Sequence, residues 1–570
     1  MKILGINAVF HDSAACLLVD GVPVAAAEEE RFSRIKHHKR TKPFHAYALP
    51  FHAIDFCLRE AGIKLGDLDH VAYSFDPFPL INQPGRADGL PLPRDAGEAR
   101  RPPQFDPWQT LFLAGAASAP HLLGDYVPWE LQRTFGAGAG GGGWEFHFVP
   151  HHVAHAASAF FPSPFDEAAV MTLDGFGGDA TTAYGHGRGG ELAMLGAVQL
   201  PHSLGLLYEQ VTGFLGFKPS SDEYKVMALA ALGRPAQADT LRRLVQVGEG
   251  GRYTVQPLAL AERFGRPREP GGPLTQRDLD LACSLQTVLE ETVLALAAWL
   301  RGATGAADLC LAGGVALNCV LNARLRDDGP FRRLWVQPAA GDAGTALGAA
   351  LWVDSRRSAR ERPYRMTSAL LGPAYTEEQI AEVLLGSKLR HRRLDDLAGE
   401  TAELLLQDKV LGWFEGRMEF GPRALGARSI LASPLNAATR DRLNDIKGRE
   451  EFRPVAPAVL AHRAGEWFEP ATESPFMLFT HRVRADRIAR IPAVQHSDGT
   501  ARIQTVERDQ NRLFFDLIAA FEERTGVPIV VNTSFNTAGR PIVCTPRDAV
   551  ECFFASPLDA LVLGPFLLEK

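Results

Sequence analysis

The sequence predicts an α/β protein of several domains whose N-terminal part is duplicated, and three observations predict it. A strand, turn, strand, turn, strand succession occupies 2–27 and returns at 168–199. A strongly helical run at 275–301 leads into an apolar strand, a double glycine and another helix. The chain has 570 residues and a mass of 62.0 kDa, too long for one hydrophobic core, so two to four domains are expected.

In the first copy, strands are expected at 2–7, 14–19 and 22–27, joined by the polar turn His11-Asp12-Ser13 and by an Asp20-Gly21 hairpin turn. In the second, strands at 168–173, 180–185 and 191–199 surround the loop Asp174-Gly175-Phe176-Gly177-Gly178. The shared order favours two facing halves over two unrelated hairpins. Between them, 76–145 loses periodicity and fills with proline and glycine, so no regular fold is assigned there. The strand 308–311, then Ala312-Gly313-Gly314, then a helix is a place where phosphate can approach backbone amides, although such turns also serve close packing. A boundary is expected at 355–375, where an arginine-rich stretch ends at Pro363.

Composition excludes several classes. A hydrophobic share of 46% with 22% charged residues is that of a soluble globular chain, and no segment reads as the ~20 uncharged apolar residues that cross a bilayer. The first residues read as a buried strand rather than an export leader, and seven cysteines without a Cys-x-x-Cys pair suit reduced core thiols, so a cytoplasmic location is expected. A net charge of -7 argues against a general polyanion-binding surface.

The sharpest chemical signal is His151-His152-Val153-Ala154-His155. Positions i and i+4 share a helix face, so His151 and His155 can close on one cation, with Asp174 and Asp342 completing the shell from glycine loops. His152 points elsewhere. Two imidazoles and two carboxylates could equally take Mn(II) or Zn(II). In the C-terminal third, Arg417, Arg423, Arg428, Lys447, Arg449 and Arg453 are interleaved with glycine and proline. Such a pattern suits phosphate or carboxylate recognition, against the plainer reading of a solvated basic face. The strand at 527–536 ends in amides and hydroxyls, Asn532-Thr533-Ser534-Phe535-Asn536.

Phe10-His11-Asp12-Ser13, the His151–His155 run, Asp222-Glu223-Tyr224-Lys225-Val226-Met227, Ala312-Gly313-Gly314, Gly341-Asp342-Ala343-Gly344, Phe420-Gly421-Pro422-Arg423, Arg453-Pro454-Val455-Ala456-Pro457 and the 532–536 segment together resemble the NodU/CmcH family of O-carbamoyltransferases. The resemblance implies a duplicated actin-like ATPase (ASKHA) domain over 1–360, akin to tRNA threonylcarbamoyl-transfer enzymes, and a YrdC-like α/β domain over 370–570. It implies that the latter makes carbamoyl adenylate from carbamoyl phosphate and ATP with Mg2+, and that the former passes the carbamoyl group to a hydroxyl of an antibiotic-type specialised metabolite. By motif, Lys447, Arg453, Arg502, Ser534 and Asn532 are expected around carbamoyl phosphate, with Arg423 and Arg428 in support. Glu223, Lys225, Gly313, Gly314 and Asn318 are expected on the nucleotide, His151, His155, Asp174 and Asp342 on a metal, by resemblance Fe(II). His11 is expected as the base that takes the alcohol's proton, or else as a phosphate contact or a support for Asp12. After Met227 the family continues Gly-Leu-Ala-Pro-Tyr-Gly, whereas this chain has Ala228-Leu229-Ala230-Ala231-Leu232-Gly233. A tRNA-modifying carbamoyl-type transferase is the alternative enzyme class, disfavoured by the net charge; no nucleic-acid or membrane partner is expected.

Overall fold

The computed structural model describes residues 1–38, 49–77, 120–136, 143–358 and 362–570. Strands β1 (Lys2–Asn7), β2 (Ala14–Val19), β3 (Val22–Glu28), β4 (His70–Tyr73) and β5 (Glu145–Phe148) form a sheet ordered β3-β2-β1-β4-β5. A second sheet is built from β6 (Glu167–Gly177), β7 (Ala180–Arg188), β8 (Glu191–Gln199), β11 (Asp308–Ala312) and β12 (Arg333–Val336), ordered β12-β11-β6-β7-β8, with β9 (Val245–Val247) and β10 (Tyr253–Val255) forming a separate hairpin. Each sheet is a three-stranded antiparallel meander whose first strand pairs parallel with the fourth, and the fourth parallel with the fifth. The two hairpin openings are therefore the same unit twice.

The halves meet through the helices that follow their fifth strands, His151–Phe160 after β5 and Ala343–Arg357 after β12. The first is rich in alanine and the second in alanine and glycine, for a steric reason: a Cβ on Gly348 would overlap the Ala154 carbonyl, and one on Gly5 the Ala346 carbonyl. Small residues let the helix backbones and β1 touch, and nearly every residue of His151–Phe160 is buried. The long helix Gln276–Thr304 opens on a Thr275/Asp278 capping box and ends on Gly305 in the left-handed region (φ 69°). Among the described residues it is the one helix long and apolar enough to cross a membrane, and most of its apolar window is buried against the fold.

The reading of 76–145 as irregular needs correction. Pro120–Phe135 is helical and Glu145–Phe148 is the edge strand of the first sheet. Proline at Pro128 and a short, glycine-flanked strand hid both from a periodicity argument. The rest of that stretch, 78–119 and 137–142, lies outside the described residues, as does 359–361 of the expected boundary.

Beyond it stands an eight-stranded mixed sheet ordered β13-β23-β22-β14-β15-β21-β16-β20. Its strands are β13 (Arg392–Arg393), β14 (Leu411–Phe414), β15 (Arg428–Ala432), β16 (Ala456–Leu460), β20 (Gln504–Val506), β21 (Ile529–Ser534), β22 (Ala560–Leu563) and β23 (Phe566–Glu569), while β17 (Phe468–Glu469), β18 (Thr480–Val483) and β19 (Thr500–Arg502) make a small sheet beside it. This part is tied to the first sheet by buried charge. Arg31, 2% exposed, pairs with Glu28 at 2.8 Å and donates to the Gly421 carbonyl, while the Gly421 amide donates to the same Glu28 carboxylate at 2.9 Å. Arg34 donates to the carbonyls of Pro541 and Ile542.

Candidate active site

The paired-histidine helix begins one residue after Pro150, whose lack of an amide proton suits a helix start, and its first turn points into the cleft between the halves. His151 and His155 bring their Nε2 atoms within 3.0 Å of each other. Asp174 Oδ2 lies 3.4 Å from each, and Asp342 Oδ1 3.5 Å from each. Around an ion with bonds of about 2.1 Å, neighbouring donors stand roughly 3.0 Å apart at right angles and roughly 3.4 Å apart in a tetrahedron. The quartet fits that shell. Asp174 lies in β6 where pairing with β7 breaks between Leu173 and Gly177, and Asp342 is the N-cap residue of Ala343–Arg357. The Gly314 amide donates to Asp174 Oδ1 at 3.1 Å, leaving Oδ2 for the histidines, and His151 Nδ1 faces the Ser74 carbonyl at 3.3 Å. Burial opposes charge on His151, but Asp342 and Asp174 raise it to about 10, and the same histidines hold Asp174 well below the usual carboxylate range against its own burial. His152 turns away, to Thr172 Oγ1 at 2.7 Å and the Ala180 carbonyl at 3.0 Å.

The first-sheet turn closes over this quartet. Phe10 packs edge-on to His151, with ring centres 5.1 Å apart, and the two residues flanking His11, Phe10 and Asp12, both have positive φ (70° and 48°), a backbone state that is costly without glycine and therefore held by its surroundings. Asp12 is clasped by two imidazoles: His11 Nδ1 and His37 Nδ1 each stand 2.8 Å from one of its oxygens. His11 Nε2 faces the Ser220 carbonyl at 2.9 Å. A carboxylate on one ring nitrogen orients the ring and stabilises its protonated form, as a general base requires.

Across the cleft lies a cluster of cations from the C-terminal part. Arg423 is pushed down to about 9 by burial, Arg502 and Arg453; Arg449 is pushed down to about 9 by burial, Arg453 and Arg502; and Lys447 falls well below the lysine range through burial, Arg449 and Arg453. The Nε atoms of Arg423 and Arg502 are buried without a hydrogen-bond partner. Mutual repulsion of this kind is relieved by an anion. The wall facing these cations belongs to the N-terminal part: the Arg453 guanidinium stacks over Tyr224 at 4.6 Å and Lys225 pairs with Glu450 at 2.8 Å.

Family models described as the carbamoyltransferase N-terminus and the carbamoyltransferase C-terminus match residues 2–83 with 144–351 and residues 402–570. The chain belongs to the NodU/CmcH-type carbamoyltransferase family. This O-carbamoyltransferase is 41% identical over 615 residues to the protein sll1178 of Synechocystis, covering 100% of the chain and 96% of the relative. It is 38% identical to nodulation protein NolNO of Sinorhizobium fredii (99% of the chain, 80% of the relative) and 42% to nodulation protein NolO of Bradyrhizobium diazoefficiens (74% and 78%). Among solved structures it is similar to HypF of T. kodakarensis, with TM-score 0.32, 14% identity and coverage of 62% of the chain and 48% of that structure.

The carbamoyltransferase departs from the sequence expectations at several residues. Arg428, expected in support of the phosphate site, is turned into the core. It is wholly buried at the start of β15, stacked over Phe414 at 3.6 Å, and donates to the carbonyls of Pro373, Glu415, Gly416 and Ala427. Asn532, 1% exposed, bonds Ala424 O and Gln504 inside the sheet, so it supports the Arg423 loop from behind. Asn318 caps the helix Cys319–Asp328 through Leu321 N at 3.0 Å and pairs with Gln286, while Gly313 (φ 92°) sits so close to Leu173 that a Cβ would overlap its carbonyl. Glu223 has one buried oxygen without a partner and is raised to about 7, by burial and then by Glu209. Lys447 meets Ser534 Oγ at 3.1 Å and Asn536 Oδ1 at 2.6 Å. The sequence reading missed His37, Tyr224 and Glu450 as neighbours of the site; only their place beside Lys36, Glu223 and Arg449 offered a signal.

Proposed function

We propose that this enzyme carbamoylates an alcohol at the expense of ATP, by way of carbamoyl adenylate, with the YrdC-like portion at 370–570 making the adenylate and the duplicated portion at 1–360 using it. The observation that carries this is the group of Arg423, Lys447, Arg449, Arg453 and Arg502: burial and the neighbouring cations, Arg453 among them, lower the proton affinity of the other four, and Arg453 stacks over Tyr224. Fixed cations of this kind neutralise phosphates as negative charge accumulates. Carbamoyl phosphate gives up its phosphate to water, the carbamate oxygen takes the adenylyl group of ATP, and pyrophosphate leaves. Lys447, with Ser534 and Asn536 fixing its ammonium, holds the phosphate oxygens during that exchange.

The adenylate then meets the alcohol between the halves. Asp12 orients His11, whose Nε2 takes the alcohol proton once the hydroxyl replaces the Ser220 carbonyl there. The oxygen attacks the carbamoyl carbon and AMP departs. His151, His155, Asp174 and Asp342 would hold a borderline divalent cation, Fe(II), Mn(II) or Zn(II), whose contribution is to polarise bound oxygen atoms. Glu223, Lys225 and the Gly313-Gly314 turn bound the nucleotide's side of the cleft. The acceptor is a hydroxyl of a specialised metabolite of the antibiotic type.

Pyrophosphate release from ATP, measured with and without carbamoyl phosphate, tests this reading. The release is expected to depend on carbamoyl phosphate, to vanish in Lys447→Ala and to survive in His11→Ala, which forms no carbamoylated product. Release that ignores carbamoyl phosphate removes the first step.

A further inference from the structure

A second histidine pair lies on β4 and β5, the strands that lead to Ser74 and to the helix bearing His151 and His155. Parallel pairing sets His70 opposite Glu145 and Ala72 opposite His147 across β4 and β5, so residues 70, 145 and 147 emerge on one face. His70 Nδ1 is 3.0 Å from His147 Nε2, the separation found between the two imidazoles of the central quartet. Glu145 Oε2 stands 3.7 Å from the first nitrogen and 3.9 Å from the second. Its other oxygen accepts from Arg357, which turns Oε2 toward the rings. The imidazoles are mostly covered (14% and 16% exposed) while Glu145 is 53% exposed, so water reaches the cluster from one side only.

We infer that His70, His147 and Glu145 form a peripheral site for a borderline divalent cation of the Zn(II), Co(II) or Ni(II) class, completed by water. Two neutral imidazole nitrogens at this distance either share one proton or chelate one ion, and a carboxylate within a small rotation of both completes a His-His-Glu donor set. The ion has a structural consequence. β4 ends at the Ser74 carbonyl that faces His151, β5 runs into the helix bearing His151 and His155, and Arg357 ends the helix that Asp342 begins. A cation here staples the far ends of the elements whose near ends form the quartet. Only four residues, at most about 14 Å of extended chain, separate His147 from His151, and the two clusters have no residue in common.

Chelator-stripped, full-length enzyme titrated with Zn(II) tests the inference, with melting temperature followed at each stage. The wild type is expected to bind two equivalents, one lost in His155→Gln and the other in His147→Gln, the outer one with a micromolar dissociation constant. Glu145→Gln is expected to weaken the outer equivalent at least tenfold. Saturating that equivalent should raise the melting temperature of wild type and His155→Gln by a few degrees and leave His147→Gln unmoved. If His147→Gln does not fold, His70→Gln gives the same reading. A single equivalent that His155→Gln removes, an outer equivalent that survives in His147→Gln, or binding only above about 1 mM, an adventitious ion, overturns the site.

Discussion

The Arg453 guanidinium rests over the Tyr224 ring at 4.6 Å, so a helix of the first part forms one wall of the basic cluster in the second. A cation over an aromatic face contributes about 0.5–2 kcal/mol. Replacing Tyr224 by Leu is therefore expected to raise the KM for carbamoyl phosphate by about 2- to 30-fold in the pyrophosphate assay. Unchanged kinetics would show that the wall does not position Arg453.

Arg428 and Arg423 make opposite predictions although they stand only five residues apart. Arg428→Met leaves four carbonyl contacts unmet in the core. The variant is expected to lose about 3 kcal/mol or more of stability, read as a clear drop in melting temperature. Arg423→Met removes a buried charge already under repulsion from Arg502 and Arg453. It is expected to melt no lower than wild type while losing pyrophosphate release.

Metal loading should depend on pH. Without the ion, His151 keeps a proton up to about 10, and a cation must displace it. The apparent affinity of the stripped enzyme for Zn(II) at the quartet is expected to rise about tenfold per pH unit between 7 and 9, since one proton leaves for each ion bound. A flat profile would contradict a protonated His151.

Glu223 titrates near 7 in the fold, above its ordinary value of 4.5. Between those values the folded chain binds more protons than the unfolded one, so the stability from this group is present at low pH and lost as pH rises through 7. Relative to Glu223→Gln, the wild type is expected to weaken from pH 5 to pH 8 by on the order of 3 kcal/mol at most. Parallel melting curves across that range would refute it.

Much of this was legible in the residues because short-range chemistry fixed it. The strands at 2–7, 14–19 and 191–199 match the structure to the residue, since alternating apolar runs between Asp-Gly and polar turns admit few other registers. That His151 and His155 share a helix face was readable from their spacing, and Asp174 in its glycine loop gave that pair its chemical meaning. Arg428 was not, because a motif cannot say which way an arginine points; an arginine opening the apolar strand Ser429-Ile430-Leu431-Ala432 was the neglected sign of burial. The contacts of His37 with Asp12, and of Tyr224 with Arg453, join elements distant along the chain, and no local pattern announces them.

Each repeat gives the quartet something different: the first supplies both imidazoles, from the helix after β5, and the second supplies both carboxylates, from β6 and the helix after β12. A symmetric pair of identical repeats would have gathered like with like, four rings or four acids around the axis, and bound no such mixed shell. The chemistry of the cleft thus depends on the copies having drifted apart in sequence while keeping one topology.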